Sequence, residues 1–316
     1  MHYILLLIGF MALIKGADYF VEGASSIAVT LKVAPLIIGL TIVAFGTSAP
    51  ELAVSVTSAL QGQNTMSLGN VIGSNIFNFL VVVGGASFIL PLNVKQSVLS
   101  KEFPIAILAT ALLGILGMDN IIKRQGPNVI SRNDGIILLI FFSMFMFYLI
   151  QVAIKAFRNN EEVDEISEMP IKQSILWAIA GAAGIIIGGD LVVNNAVHIA
   201  LDWGMSERLV GLTIIAIGTS LPEFVTSMTA AKKGQSDIAL GNVIGSSIFN
   251  IFLILGVSTA INPIPVNSDM VIDLFFMLDA TLIAYLFAIT SRKINRIEGL
   301  MLMMGYIAYM FYILVR

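Results

Sequence analysis

One stretch of forty residues occurs twice in this chain. Residues 39–78 read GLTIVAFGTSAPELAVSVTSALQGQNTMSLGNVIGSNIFN, and residues 211–250 read GLTIIAIGTSLPEFVTSMTAAKKGQSDIALGNVIGSSIFN. The copies are offset by a constant 172 residues and are identical at 25 of 40 positions. Each copy places one carboxylate, Glu51 or Glu223, directly after a proline inside an apolar segment. Such a duplication indicates a protein built from two related halves.

The composition indicates that both halves lie in a lipid bilayer. The chain is 57% hydrophobic and 12% charged, with a mean hydropathy of +0.93, whereas soluble domains carry about 25% charged residues. The net charge of −3 implies no nucleic-acid partner. Because there are no cysteines, disulfides and thiolate metal sites are excluded. The N-terminus lacks a basic leader and a cleavage site, so it reads as a first membrane helix.

Hydropathy predicts an all-α integral membrane protein with ten transmembrane helices. The predicted spans are 3–28, 35–60, 66–91, 103–119, 134–157, 170–198, 207–231, 236–261, 269–291 and 295–315. Residues 1–157 form the first five-helix repeat, 158–169 an acidic linker, and 170–316 the second repeat. Five is an odd number, so the second repeat must enter the membrane in the opposite sense. We therefore expect two inverted repeats, with discontinuous helices 2 and 7.

The distribution of Lys and Arg predicts the orientation. Loops on the linker side carry eleven of these residues and loops on the other side carry five. This places both termini outside and the linker 158–169 in the cytoplasm of a cell-membrane protein. The cluster Lys123, Arg124 and Arg132 argues against this orientation.

The motif G-T-S-x-P-E predicts a broken helix at each carboxylate. Pro50 has no N–H to donate to the carbonyl of Gly46, and Pro222 likewise cannot donate to the carbonyl of Gly218. Unpaired carbonyls are not tolerated against lipid, but they are tolerated where they line a polar cavity. A cation in that cavity would supply the missing partner.

Side-chain oxygens cluster at the same point. Thr47 and Ser48 precede Glu51 by four and three residues, so the three side chains can share one helix face. The second copy repeats this set with Thr219, Ser220 and Glu223. Hard cations such as Na⁺ and Ca²⁺ prefer carboxylate, hydroxyl and carbonyl oxygens.

The second half of each copy reads G-N-V-I-G-S-x-I-F-N. Its two glycines, Gly69 and Gly73, permit close helix contact, and Ser74 and Asn78 can face the same neighbour. The other copy repeats these positions with Gly241, Gly245, Ser246 and Asn250. Inverted symmetry would bring both sets together near the midplane.

The charge of two buried carboxylates favours exchange over leak. One Ca²⁺ neutralises their charge of −2, and three Na⁺ leave +1. An ion-free site in a low dielectric is costly, so it should resist the change of exposure that transport requires.

The doubled motif resembles the sodium/calcium exchanger branch of the cation/calcium exchanger superfamily, of prokaryotic type. This resemblance implies Na⁺-driven Ca²⁺ antiport by alternating access, usually with three Na⁺ per Ca²⁺, and no cofactor. It implies that the ions lie between the second, third, seventh and eighth helices of one chain, which could act as a monomer. The ion ligands that it implies are Glu51, Glu223, Thr47, Ser48, Thr219, Ser220, Ser74, Asn78, Ser246 and Asn250, with the carbonyls of Ala44 and Ala216.

One position bears on K⁺. The K⁺-dependent relatives, and some microbial ones, carry Asp where this chain has Asn250, so the site lacks a third carboxylate and we expect no K⁺ cotransport. Proton-coupled relatives carry G-N-x-x-E in the broken helix, and its absence from that helix favours Na⁺ over H⁺.

Other readings remain open at this stage. The same fold could exchange H⁺ for Ca²⁺ or move another divalent cation such as Mn²⁺, and a passive cation channel is a further alternative. An intramembrane enzyme is set aside because neither histidine lies near a plausible nucleophile. Asp18 and Asp190 occupy matching positions in spans 1 and 6, where interface pairing or helix capping competes with a site role.

Overall fold

The computed structural model of the chain describes residues 1–62, 64–118, 127–159, 169–204 and 216–315. The helices of the first half are α1 (His2–Thr30), α2 (Pro35–Thr47), α3 (Ala49–Leu60), α4 (Thr65–Ile89), α5 (Val98–Leu116) and α6 (Arg132–Asn159). Those of the second half are α7 (Ile171–Asp202), α8 (Ala216–Thr219), α9 (Leu221–Lys232), α10 (Ser236–Ile261), α11 (Ser268–Ser291) and α12 (Arg296–Val315).

The membrane prediction agrees with this helix set. Eight described helices are long and apolar enough to cross a bilayer, and the bent pair α2–α3 makes a ninth span. These nine correspond in order to nine of the ten predicted spans. The predicted span 207–231 begins outside the described residues and ends in α8 and α9. Most of the predicted linker 158–169 also lies outside them, so its role as a domain boundary stays a prediction.

One predicted boundary is wrong by five residues. The fourth span was placed at 103–119, whereas α5 begins at Val98 with a π-helical turn, Val98–Glu102. Hydropathy assigned the charged Glu102 to a loop. In the fold this side chain is buried and accepts a hydrogen bond of 2.8 Å from the hydroxyl of Tyr148 on α6. The hydrogen bond from Tyr148 offsets the cost of burying this carboxyl group, so Glu102 can lie in the helix although hydropathy places it in a loop.

Short β-ladders join the two halves. Four two-residue strands, β1 (Leu92–Asn93), β2 (Val129–Ile130), β3 (Ile264–Pro265) and β4 (Lys293–Ile294), form two antiparallel pairs. β1 pairs with β4, and β2 pairs with β3. Each pair takes one strand from each half, and the all-α prediction did not include them.

The central helices are α4 and α10, which contain the second half of the repeated motif. In the most apolar 18-residue window of α10, 94% of the residues are buried, and in that of α4 the share is 78%. The corresponding share is 17% in α6 and in α12. These outer helices expose large apolar side chains such as Phe147 and Phe311, as expected for surfaces that face lipid. The repeated motif therefore lies in the middle of the bundle.

Helices α1 and α7 form a long antiparallel pair of their own. A Cβ added at Gly9 would lie 3.0 Å from the carbonyl oxygen of Gly188, and one added at Gly23 would lie 2.6 Å from the nitrogen of Ala178. The start of α1 thus contacts the end of α7, and the reverse holds at their other ends. Close approach of the two backbones is possible because these positions lack a side chain.

An ionic contact ties α1 to the turn that follows α9. The Nζ of Lys233 lies 3.8 Å from Asp18 Oδ1 and 3.4 Å from Glu22 Oε2, and it donates a 3.1 Å hydrogen bond to the carbonyl of Asp18. Asp18 also lies 3.9 Å from Lys15 in its own helix. Asp190 in α7 instead accepts a 2.9 Å hydrogen bond from Asn194. Of the readings left open for these two residues, local or interface pairing is the one observed.

The packing of α7 on α1 predicts that substitution of two adjacent glycines by alanine affects stability differently. In Gly188→Ala the new Cβ would lie 2.8 Å from the carbonyl oxygen of Gly9, whereas in Gly189→Ala the nearest described atom is Pro222 Cγ at 3.7 Å. We expect Gly188→Ala to lower the free energy of unfolding by about 1–3 kcal/mol because one backbone must move. Gly189→Ala should stay close to wild type. Denaturation in detergent measures both, and equal stability of the two variants would contradict the packing.

Candidate functional site

Each copy of the motif breaks its helix at the serine of G-T-S-x-P-E. Helices α2 and α3 meet at Ser48, whose φ and ψ are −83° and 5°, and their axes differ by 49°. Helices α8 and α9 meet at Ser220, whose φ and ψ are −93° and 5°. Pro50 and Pro222 lie in the first turn of the helix that follows each break, where a missing N–H is tolerated. The predicted interruptions are therefore present at both positions.

The two carboxylates lie in the first turn after these breaks and are shielded from solvent. Glu51 is 0% exposed and Glu223 is 1% exposed. Each lies at the N-terminus of a helix of twelve residues, where the backbone N–H groups favour negative charge.

Hydrogen bonds cross between the copies and bring the two breaks together. The hydroxyl of Ser48 donates to Glu223 Oε1 at 3.0 Å, and the hydroxyl of Ser220 donates to Glu51 Oε1 at 3.4 Å. Each carboxylate is thus held by the serine at the break of the other copy. These two hydrogen bonds are reciprocal, as expected when two repeats are related by a two-fold axis.

The threonines form a second reciprocal pair. Thr47 donates to Asn242 Oδ1 at 2.9 Å, and Thr219 donates to Asn70 Oδ1 at 3.3 Å. The amide of Asn242 in turn donates to Ser227 Oγ at 2.9 Å, and that of Asn70 donates to Ser55 Oγ at 3.2 Å.

Asn70 and Asn242 were not among the predicted ligands. The signal was available, because both occupy the duplicated G-N-V-I-G and are offset by the same 172 residues as the carboxylates. They connect the threonines of one copy to the carboxylate-bearing helix of the other.

Glycines of α10 allow it to cross α2 closely. A Cβ at Gly241 would lie 2.7 Å from the carbonyl oxygen of Leu36, and one at Gly245 would lie 2.7 Å from Ala44 Cβ. The close contact predicted for this pair is therefore confirmed. For Gly69 and Gly73, the matching partners would be 208–216, of which only Ala216 belongs to the described part of the chain.

This crossing brings Ser246 to the first break. Its hydroxyl lies 3.3 Å from Thr47 Oγ1 and 3.5 Å from the carbonyl oxygen of Ala44. The same carbonyl accepts a 3.3 Å hydrogen bond from Thr47. The predicted oxygens of Ala44, Thr47 and Ser246 therefore lie together. Ala216 begins α8 at the matching position of the second copy.

Several buried polar atoms at these helices have no hydrogen-bond partner in the described part of the protein. Four of these atoms are Thr226 Oγ1, Ser247 Oγ, Ser258 Oγ and Thr259 Oγ1, and the other six lie on five residues: Glu51 Oε2, Glu223 Oε2, Ser74 Oγ, Asn250 Oδ1, and both Oδ1 and Nδ2 of Asn78. All five residues belong to the predicted ligand set. Leaving a buried polar group unpaired costs about 1–3 kcal/mol, and more if it is charged. Unpaired oxygens on both carboxylates and on neighbouring predicted ligands are what a cation-binding region requires.

π-Helical turns begin at the two asparagines of the motif. They span Asn78–Val82 in α4 and Asn250–Leu255 in α10. Such turns occur frequently at functional sites. Both asparagines are completely buried, so their amides are available only to neighbours inside the bundle.

Among the described residues, no three His, Cys, Asp or Glu side chains come close enough to hold a metal ion together. The described site therefore combines two carboxylates with neutral oxygens, and its formal charge with both carboxylates ionised is −2. Asp18 and Asp190 do not belong to it. Neutral hydroxyl and amide oxygens around a low charge suit Na⁺ and Ca²⁺.

Comparison with known proteins places this geometry in a family. The family model described as sodium/calcium exchanger protein matches residues 1–151 and 173–315. The chain belongs to the sodium/calcium exchanger family. This is a family of transporters rather than of enzymes, and the chain is a multi-pass membrane protein and a cation/Ca²⁺ antiporter.

Individual relatives of this exchanger cover nearly its whole length. It is 41% identical to the putative antiporter CaxA of Alkalimonas amylolytica, covering 98% of this chain and 97% of that protein. It is 34% identical to the sodium/calcium exchanger MaX1 of Methanosarcina acetivorans, with coverage of 98% and 97%. A solved structure of the sodium-calcium exchanger NCX_Mj superposes with a TM-score of 0.82 at 32% identity, covering 97% of each chain.

Proposed function

We propose that this exchanger moves Na⁺ and Ca²⁺ in opposite directions through one central site between Glu51 and Glu223. The observation that carries the proposal is the reciprocal contact at the two breaks. Each carboxylate has one oxygen held by the serine of the other copy and one oxygen that has no hydrogen-bond partner among the described residues. The unpaired oxygens are available to a shared cation.

The remaining proposed ligands surround this pair. Thr47, Ser48 and Ser220 lie at the breaks, and Ser74, Asn78, Ser246 and Asn250 lie on the two central helices. Thr219 and the carbonyls of Ala44 and Ala216 complete the set by the symmetry of the motif. Carboxylate, hydroxyl, amide and carbonyl oxygens together match the preference of Ca²⁺ for six to eight oxygen ligands.

We propose ten helices in two inverted repeats as the architecture of the transporter. The antiparallel contact between α1 and α7 supports this arrangement, because these helices carry matching sequences, with Gly16 and Asp18 in one and Gly188 and Asp190 in the other. Equivalent helices that run in opposite directions are expected of an inverted repeat. The proposed orientation, with both termini outside and the linker cytoplasmic, rests on the distribution of Lys and Arg.

The charge of the site explains why exchange would be obligatory. Two ionised carboxylates without a cation are costly in a low dielectric, and a bound Ca²⁺ or a set of Na⁺ offsets that cost. The protein would therefore change its exposure only when loaded. Three Na⁺ per Ca²⁺, the proposed ratio, moves one net positive charge per cycle and makes transport sensitive to voltage.

Na⁺ is favoured over H⁺ as the coupling ion by the groups around the carboxylates. Each carboxylate lies in G-T-S-x-P-E rather than in the G-N-x-x-E that proton-coupled relatives carry, and the neighbouring serine hydroxyls are oxygen ligands of the kind that a hard cation such as Na⁺ prefers. The names of MaX1 and NCX_Mj, which are sodium/calcium exchangers, support the same choice. Exchange of H⁺ or of another divalent cation is the alternative on the same fold.

Ca²⁺ flux in proteoliposomes tests the proposal. Vesicles loaded with Na⁺ and diluted into Na⁺-free medium should accumulate labelled Ca²⁺, with no requirement for K⁺, and an inside-negative potential that opposes Na⁺ exit should slow uptake. A pH gradient alone should drive none. Uptake driven equally by pH would support the proton-coupled alternative, and equal efflux without Na⁺ or Ca²⁺ outside would indicate a channel.

In the same assay, Glu51→Gln and Glu223→Gln should each reduce uptake at least roughly a hundredfold, since a lost charged contact is worth about 3 kcal/mol. The matched control is Glu102→Gln. It replaces a buried carboxyl group of α5 that accepts a hydrogen bond from Tyr148 of α6, outside the proposed site. It should transport near the wild-type rate. Normal Ca²⁺ uptake by either Glu51→Gln or Glu223→Gln would contradict the proposed ion-binding site.

Asn250→Asp tests the proposed independence from K⁺. The substitution adds a third carboxylate to a site that contains two, so the balance of cations needed to neutralise it must change. We expect an altered dependence on Na⁺ or a new effect of K⁺. Asn194→Asp, on the exposed face of α7, is the control for added charge outside the site. Transport that is unchanged across Na⁺ and K⁺ concentrations would make position 250 peripheral.

A further inference from the structure

The central helices α4 and α10 meet at a position where the two copies of the motif differ. Residue 75 is Asn and its counterpart, residue 247, is Ser. The amide of Asn75 donates a 3.2 Å hydrogen bond to the backbone carbonyl of Ser247. Two equivalent positions that contact one another lie at the two-fold axis relating the copies.

The contacts of Asn75 determine which way its amide points. A backbone carbonyl can only accept, so the group of Asn75 that faces Ser247 must be the NH₂. The oxygen of Asn75 therefore faces the other way, where the NH₂ of Asn250 lies at 3.0 Å. Because that oxygen can also only accept, Asn250 must turn its NH₂ toward Asn75.

The orientation of Asn250 follows from this chain of bonds. With its NH₂ occupied by Asn75, its Oδ1 is directed elsewhere, and this oxygen is buried with no hydrogen-bond partner in the part of the protein that the structure describes. A cation can be bound by the amide oxygen but not by the NH₂ group. The hydrogen-bond chain therefore presents Asn250 in the orientation that a cation needs.

We propose that Asn75 is a positioning residue that fixes the amide oxygen of Asn250 toward the transported cation. This inference rests on the proposed function, in which Asn250 is a ligand. Asn75 acts through Asn250 and needs no contact with the ion. The three residues linked by these hydrogen bonds are buried, at 0% exposure for Asn75 and Asn250 and 1% for Ser247. Water therefore does not compete for the hydrogen bonds.

The other copy lacks this device. Asn78 is the counterpart of Asn250, and neither its Oδ1 nor its Nδ2 has a hydrogen-bond partner among the described residues. Ser247 has a hydroxyl in place of the amide of Asn75, and its Oγ makes no hydrogen bond to Asn78 or to any other described residue. Since two equivalent side chains at an axis compete for the same space, one large and one small residue fit where two asparagines would crowd each other. Hydrogen bonds between described residues therefore fix the orientation of Asn250 but not that of Asn78.

The test is Asn75→Ser, which places in the first copy the residue that the second copy already has. In Na⁺-driven Ca²⁺ uptake we expect the KM for Na⁺ or for Ca²⁺ to rise roughly tenfold, the effect of one misplaced ligand, with little change in the maximal rate. In the Asn250→Ala background the same substitution should have no further effect on KM. A purely structural role would instead give multiplied effects in the double variant.

A swapped variant separates positioning from folding. In Asn75→Ser/Ser247→Asn the amide moves to the other side of the axis, where it should orient Asn78 in place of Asn250. KM should return toward wild type, and Asn78→Ala should become more damaging than Asn250→Ala. If Asn75→Ser does not fold, this reversal in the swapped protein still decides the matter. A swap in which Asn250→Ala remains the more damaging change would overturn the proposal.

Failure of this inference can be told apart from failure of the proposed function. If Glu51→Gln abolishes uptake while folded Asn75→Ser keeps both KM values, the central site stands and the role of Asn75 is wrong. If Glu51→Gln transports normally, the site itself is wrong.

Discussion

Two carboxylates buried between broken helices are the constraint on which the rest of this structure depends. A bilayer protein can keep such charges only if hydrogen bonds and cations compensate for the water they lose. Ser48 and Ser220 supply one hydrogen bond each, from the opposite copy, and the second oxygen of each carboxylate has no partner within the described ranges. The prolines, the close crossing of α10 over α2, and the asparagines behind the threonines all serve to place these two groups together.

Duplication gives the site its symmetry, and a few positions depart from that symmetry. The serine–carboxylate and threonine–asparagine bonds are reciprocal between the copies. The pair formed by positions 75 and 247 is not reciprocal: it holds Asn250, whereas the amide of Asn78 has no hydrogen-bond partner in the described part of the chain. Lys233 contacts Asp18 and Glu22, whereas its counterpart in the first copy is Gln61, which cannot form an ion pair. The two sides of the exchanger are therefore chemically different.

The sequence was sufficient to predict most of the helices and the carboxylate motif, because a doubled stretch with proline beside glutamate has few physical interpretations. It did not reveal the start of α5, because Glu102 is admitted to the bundle only by a partner, Tyr148, that lies 46 residues away. The small β-ladders and the role of Asn75 were also missed. Both depend on contacts between the two halves, and such contacts are not visible in local patterns of hydropathy or spacing.

Calcium located directly in a crystal of the protein is the most direct test of the central claim. Anomalous scattering from Ca²⁺ should give its main peak between the breaks at Ser48 and Ser220, with oxygens of both Glu51 and Glu223 about 2.3–2.6 Å from the ion. A main peak elsewhere in the bundle, with the two carboxylates bound only to protein groups, would contradict the account.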